Sequence, residues 1–118
     1  MSSALDTESM TTLHWVGIAL AAVTGIIHLV LGVRFLPGAF GISFLIATAG
    51  FAAGIVAILV NYRRRLFYAV GIPFTAGQVV IFAWTVVQGI NSLGPIAIVD
   101  KLAQIGFIVV LVLLLRQE

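Results

Sequence analysis

Two histidines are the residues of this sequence best suited to chemistry. His14 and His28 stand 14 residues apart inside one uncharged run. On an α-helix that spacing puts both rings on one face, about 21 Å apart along the axis. Membrane cytochromes of the b type ligate two haems at such a spacing, and histidine is a standard axial ligand of haem iron. The sequence has no third histidine. Bis-histidine ligation of haem b would therefore need a two-fold dimer, each ring meeting its own copy. The other reading is structural, with no cofactor and with His28 bonded to Gln78 or to a backbone carbonyl inside a bundle.

Other polar groups sit where apolar surroundings are expected. Thr75, Gln78, Thr85 and Gln88 fall within about 140° of one another on a helical wheel, and Gln104 adds a further amide. Such side chains hydrogen-bond between helices, each contact contributing about 0.6–2 kcal/mol. They read as polar glue between helices, or else as the lining of a small ligand or ion path. Pro73 removes a backbone donor and frees the carbonyl of Ala69, which Thr75 or a neighbouring helix could satisfy. Asp100 needs a partner. Arg34 is expected to pair with it, and Lys101 is the competing candidate. A proton-relay carboxylate is the functional alternative.

Catalysis of the soluble type finds no support. There is no cysteine, no HExxH, no phosphate-binding glycine loop and no serine–histidine–acid set at one depth. Neither an enzyme nor a metal site is expected.

The elements that position these groups follow from the charge pattern. Charged residues make up 8% of the 118 positions and hydrophobic ones 62%. An ordinary soluble domain carries about 25% charged residues. The charges sit at Asp6 and Glu8, Arg34, Arg63 to Arg65, Asp100 and Lys101, and Arg116 and Glu118, with uncharged runs of 25, 28, 34 and 14 residues between them. A small soluble fold cannot hide so much apolar surface. A bilayer core of about 30 Å takes roughly 20 residues of helix. The pattern predicts an all-α polytopic membrane protein, a single four-transmembrane-helix bundle over residues 1–118, with spans near 13–33, 40–60, 66–90 and 96–115. Pro37-Gly38 and Gly94-Pro95 mark loops, and Pro95 opens the last helix. The leader before the first span is acidic and the apolar run is too long for a signal peptide, so the span is expected to be retained.

With four spans both termini share one side with Arg63, Arg64, Arg65 and Arg116, against Arg34 and Lys101 on the other. The positive-inside rule then makes both termini cytoplasmic, in the cell membrane. Trp15, Tyr62 and Tyr68 are expected in the interfacial aromatic belt. Three arginines beside anionic headgroups need no nucleic acid to explain them.

Small residues mark the packing faces. His14, Gly17, Ala21, Gly25, His28 and Gly32 form one stripe. Ser43, Ala47, Gly50, Gly54 and Ala57 form another, with a GxxxG pair at Gly50 and Gly54. Such stripes let helices approach closely, either each other or a second copy. The expected function is that of a structural or accessory membrane protein, packing against itself or a larger membrane partner. Small homodimeric exporters and fluoride channels share the four-helix plan. The exporters depend on a glutamate in their first helix, and this one has none, so transport is the secondary alternative beside haem.

The order of motifs carries one resemblance. Leu13-His14-Trp15-Val16-Gly17, Val23-Thr24-Gly25-Ile26-Ile27-His28-Leu29 and Gly32-Val33-Arg34-Phe35-Leu36-Pro37 open the pattern. Asn61-Tyr62-Arg63-Arg64-Arg65, Gly71-Ile72-Pro73-Phe74-Thr75 and Val99-Asp100-Lys101 follow. Together they resemble a group of uncharacterised small four-helix membrane proteins of haloarchaea. The resemblance implies the fold and a membrane location in an archaeal cell, and no activity.

Overall fold

The computed structural model describes residues 5–117; Glu118, counted among the charges, lies outside them. Among the described residues the fold is all-α, with no strand. Helices α1 (Thr12–Arg34), α2 (Ala39–Leu59), α3 (Arg64–Val87) and α4 (Pro95–Gln117) follow in chain order. All four are long and apolar enough to cross a membrane.

Local chemistry sets the helix ends. The first N–H groups of a helix lack intrahelical partners, and here Thr11 and His14 cover each other. The Thr11 N–H donates to His14 Nδ1 at 2.9 Å, with the Thr11 hydroxyl 3.0 Å from the same atom. His14 thus takes the place that Glu or Gln holds in a capping box. Pro95 starts α4, where its missing N–H removes no helical bond. The third helix ends at Val87 rather than near Ile90. Gly89 adopts a φ of 76°, and the N–H groups of Ile90 and Asn91 fold back onto the Thr85 carbonyl at 2.9 and 3.2 Å.

Short connections make sequential helices antiparallel. Around the bundle the order is α2, α1, α4, α3, and the ring closes only weakly, because α2 and α3 barely touch. Every residue of the first predicted stripe is buried on α1, together with Thr24. That stripe serves two neighbours. A Cβ on Gly17 would meet Val110 of α4 at 3.1 Å, whereas one on Gly32 would meet Leu45 of α2 at 2.9 Å.

The second stripe behaves differently from expectation. The closest backbone approach involves Gly41, where an added Cβ would lie 2.8 Å from the Gly32 carbonyl oxygen. Gly50 makes room for a ring instead of a helix backbone, since a Cβ there would overlap Phe74. Nothing lies within 4 Å of a Cβ placed on Gly54. Within the chain Gly50 and Gly54 bring no helix backbone close, because α3 presents Phe74 at the level of Gly50. Around it Phe51 packs edge-on to Phe74 and Phe107, with centroids 5.4 and 5.8 Å apart. Tyr68 is wholly buried with Leu111 and Leu114, so it belongs to the core and not to an outer aromatic belt. Trp15 and Tyr62 are exposed.

Candidate functional site

The polar residues of three helices converge on one buried belt. Asp100, five residues into α4, is 4% exposed. It lies against Thr24, twelve residues into α1 and therefore about 18 Å from that helix's start. The acid sits at mid-height of α1, because α4 is displaced along the bundle relative to it. That stagger corrects the expected pairing with Arg34. Arg34 lies ten residues beyond Thr24, about 15 Å further along, and no contact among the described residues joins it to Asp100. Lys101 supplies the partner, its Nζ 3.0 Å from Asp100 Oδ2.

From this ion pair hydrogen bonds run both ways. On one side the Thr24 hydroxyl donates to Asp100 Oδ1. His28 Nδ1–H donates to the Thr24 carbonyl at 2.8 Å, and the same nitrogen lies 3.8 Å from Asp100 Oδ1. The imidazole is held by Phe44 at 5.3 Å and Phe51 at 5.9 Å between centroids. On the other side Lys101 Nζ donates to Gln104 Oε1 at 2.6 Å, and Gln104 Nε2 donates to Gln78 Oε1 at 2.9 Å. Gln78 Nε2 ends the chain on the Phe74 carbonyl at 3.2 Å. The Lys101 ammonium also stands over the Phe82 ring, 4.9 Å from its centre.

This order of donors and acceptors has an energetic consequence. A buried ion pair costs desolvation, and its mutual attraction offsets that only when the remaining donors and acceptors are also satisfied. Here carboxylate, ammonium and both amides are linked in one directed chain across α1, α4 and α3. The arrangement locks those three helices in register. Of the two basic groups, only the ammonium is in hydrogen-bond contact with the carboxylate; the imidazole, 3.8 Å away, stands outside that range.

Other expected site residues fall elsewhere. Gln88 is exposed. Thr85 serves the α3 end: its hydroxyl donates to the Phe82 carbonyl at 2.6 Å and accepts from Asn91 Nδ2 at 3.0 Å. Thr75 is fully buried, and its hydroxyl has no hydrogen-bond partner among the described residues, so it does not cover the Ala69 carbonyl. The dimeric haem arrangement needs both imidazoles on an outer face. In the single chain His14 and His28 are 3% and 6% exposed, one capping α1 and the other bonded within it. Sequence reasoning missed Thr24. Its one signal was its place four residues before His28, on the same helix face.

A second polar cluster ties the N-terminal segment to the α2–α3 turn. Arg64 is 5% exposed, so it is not one of three arginines facing outward. Its Nε and Nη2 donate to the Ile58 carbonyl at 2.9 and 2.6 Å, an acceptor near the end of α2 that the Asn61 N–H also reaches at 3.3 Å. Nη1 donates to Ser9 Oγ at 2.8 Å and Nη2 to the Asp6 carbonyl at 3.2 Å. Asn61 Nδ2 donates to the Asp6 carboxylate at 2.8 Å. That bond is the main cause holding the Asp6 pKa below the ordinary carboxylate value, with Ser9 and the Arg64 charge assisting. Arg65 Nη1 donates to the Leu115 carbonyl at 2.9 Å.

A family model, DUF7475, described as a family of unknown function, matches residues 2–115. No curated protein and no solved structure matches the chain.

Proposed function

We propose that this chain, which belongs to the DUF7475 family of unknown function, is a multi-pass cell-membrane protein of accessory or structural type. On this reading it acts as a rigid four-helix unit within the bilayer and carries no catalysis. One observation supports it above the others: the polarity of the bundle is inverted relative to a soluble fold. Ile46, Val80, Val87 and Leu102 are 64%, 66%, 81% and 65% exposed, while Asp100 and Gln104 are 4% and 0% exposed. Such a surface suits hydrocarbon, and inside it Asp100, Lys101, Gln104 and Gln78 bond to one another, as membrane interiors require. The excess of arginine beside both termini favours a cytoplasmic location for them.

The chain has no cysteine, which makes the test direct. Single cysteines replacing Glu8 and Ser92, both exposed, probe the two ends of the bundle. The protein is expected to remain in carbonate-washed membranes. An impermeant thiol reagent applied to intact cells should label Ser92→Cys and spare Glu8→Cys. Labelling in the reverse pattern would overturn the orientation. Purified protein in liposomes should not dissipate an imposed pH gradient. Dissipation that disappears in Asp100→Asn would replace the accessory reading with proton-coupled transport.

A further inference from the structure

The weak seam of the bundle contains a groove. Between α2 and α3 lie two hollows of about 440 and 260 Å³. They share Ala53 and Phe67, so they adjoin as one shallow groove along the side of the molecule. It runs from Val60 and Tyr62 at the turn to Gly50 and Phe74 at the inner end. That is ten residues of α2, or about 15 Å. Half of a hydrocarbon core of about 30 Å has the same depth, that of one leaflet.

The lining is almost entirely apolar, and the inner end is closed by the Phe51, Phe74 and Phe107 rings. Gly54 leaves its floor open. A charge stands at the other end. Arg63 is exposed, with its guanidinium 5.5 Å from the centre of the Tyr62 ring that lines the mouth. Its neighbours are already bonded, Arg64 to Ile58 and Arg65 to Leu115. The apolar lining and the ring-closed inner end suit a hydrocarbon chain.

We propose that this groove binds an anionic phospholipid, with one acyl chain along α2 and the phosphate on Arg63. The proposal rests on the membrane reading above. The lipid would complete the fourth wall of the bundle, filling the space that side chains leave between α2 and α3.

The test is native mass spectrometry of the full chain in mild detergent, titrated separately with phosphatidylglycerol and phosphatidylcholine. Wild type is expected to retain one phosphatidylglycerol. Arg63→Gln should weaken that retention by about fivefold, the effect of one arginine beside an anionic headgroup, and leave phosphatidylcholine unchanged. Gly54→Phe places a ring in the empty groove and should abolish retention of both lipids. Ala53→Leu, at the junction of the hollows, should do the same and serves if Gly54→Phe fails to fold. Equal retention of the two lipids by wild type, or undiminished retention in a folded groove-filled variant, overturns the proposal. So does a lipid-free dimer that groove filling converts to monomer, since a second copy would then be the occupant. Wild type that stays in carbonate-washed membranes yet retains no lipid defeats the groove alone. Wild type absent from those membranes defeats the membrane reading itself.

Discussion

The seam between α1 and α4 and the seam between α2 and α3 use similar materials and reach opposite ends. Each has small residues that bring helices together. In the first, Gly17 receives Val110, and the polar belt through Thr24, Asp100 and Lys101 pulls the helices into contact. In the second, Phe74 occupies the space beside Gly50 and nothing reaches Gly54. Small residues permit close approach but do not compel it. A directed polar contact or an interlocking side chain decides whether the space is closed, because packing gains between apolar surfaces are weak when both could equally face lipid.

The largest effect that would break this comparison lies in the closed seam. Lys101→Met leaves the Asp100 carboxylate buried without its counter-charge and should cost about 3–5 kcal/mol, read as a lower melting temperature by circular dichroism in mild detergent. Asp100→Asn combined with Lys101→Met should lose far less than the two single changes summed. Simple additivity would mean that the pair does not act as a unit. Arg34→Gln, by contrast, should add independently to Asp100→Asn.

Glycine substitutions sharpen the contrast at an intermediate scale. Gly41→Ala forces a methyl against the Gly32 carbonyl and should cost about 1–3 kcal/mol, in the range of overpacking. Gly54→Ala enters open space and should change stability by less than about 0.5 kcal/mol. Equal losses at the two sites would mean that the α2–α3 seam is closed after all.

Within the polar belt, Gln104→Leu should cost about 0.6–2 kcal/mol, the range for one interhelical hydrogen bond in a membrane protein. Gln88→Leu should leave the melting curve in place, because Gln88 is exposed. A comparable loss at both would remove the distinction between buried and outward-facing amides.

The smallest effect belongs to the surface cluster. Asp6 has a folded pKa below its ordinary value of 3.8. Its contribution to stability is therefore present above that value and is lost as pH falls through the lowered folded value. Asn61→Ala removes the main cause of the shift, and should flatten the acid limb of the melting temperature against pH. An unchanged limb would assign it to other groups.

Much of the site was legible one residue at a time. Gln78 and Gln104 stood out because amides in apolar runs need partners, and the two bond to each other. The α1 stripe was visible because period-3.6 spacing is local. Asp100 was recognised as needing a counter-charge, but the choice between Arg34 and Lys101 depended on how far α4 slides along α1. No spacing within a single helix encodes that stagger.

The sequence by itself determined the number of helices, their approximate ends and their apolar character, because charge spacing, helical rise and proline or glycine breaks act over a few residues. It also determined that interior polar groups must find one another. The tertiary structure alone decided which did: Thr24 and His28 gather at Asp100, Tyr68 and Arg64 turn inward, and Gly54 faces open space. Those outcomes depend on the relative height and rotation of whole helices, which side chains far apart in the chain set jointly.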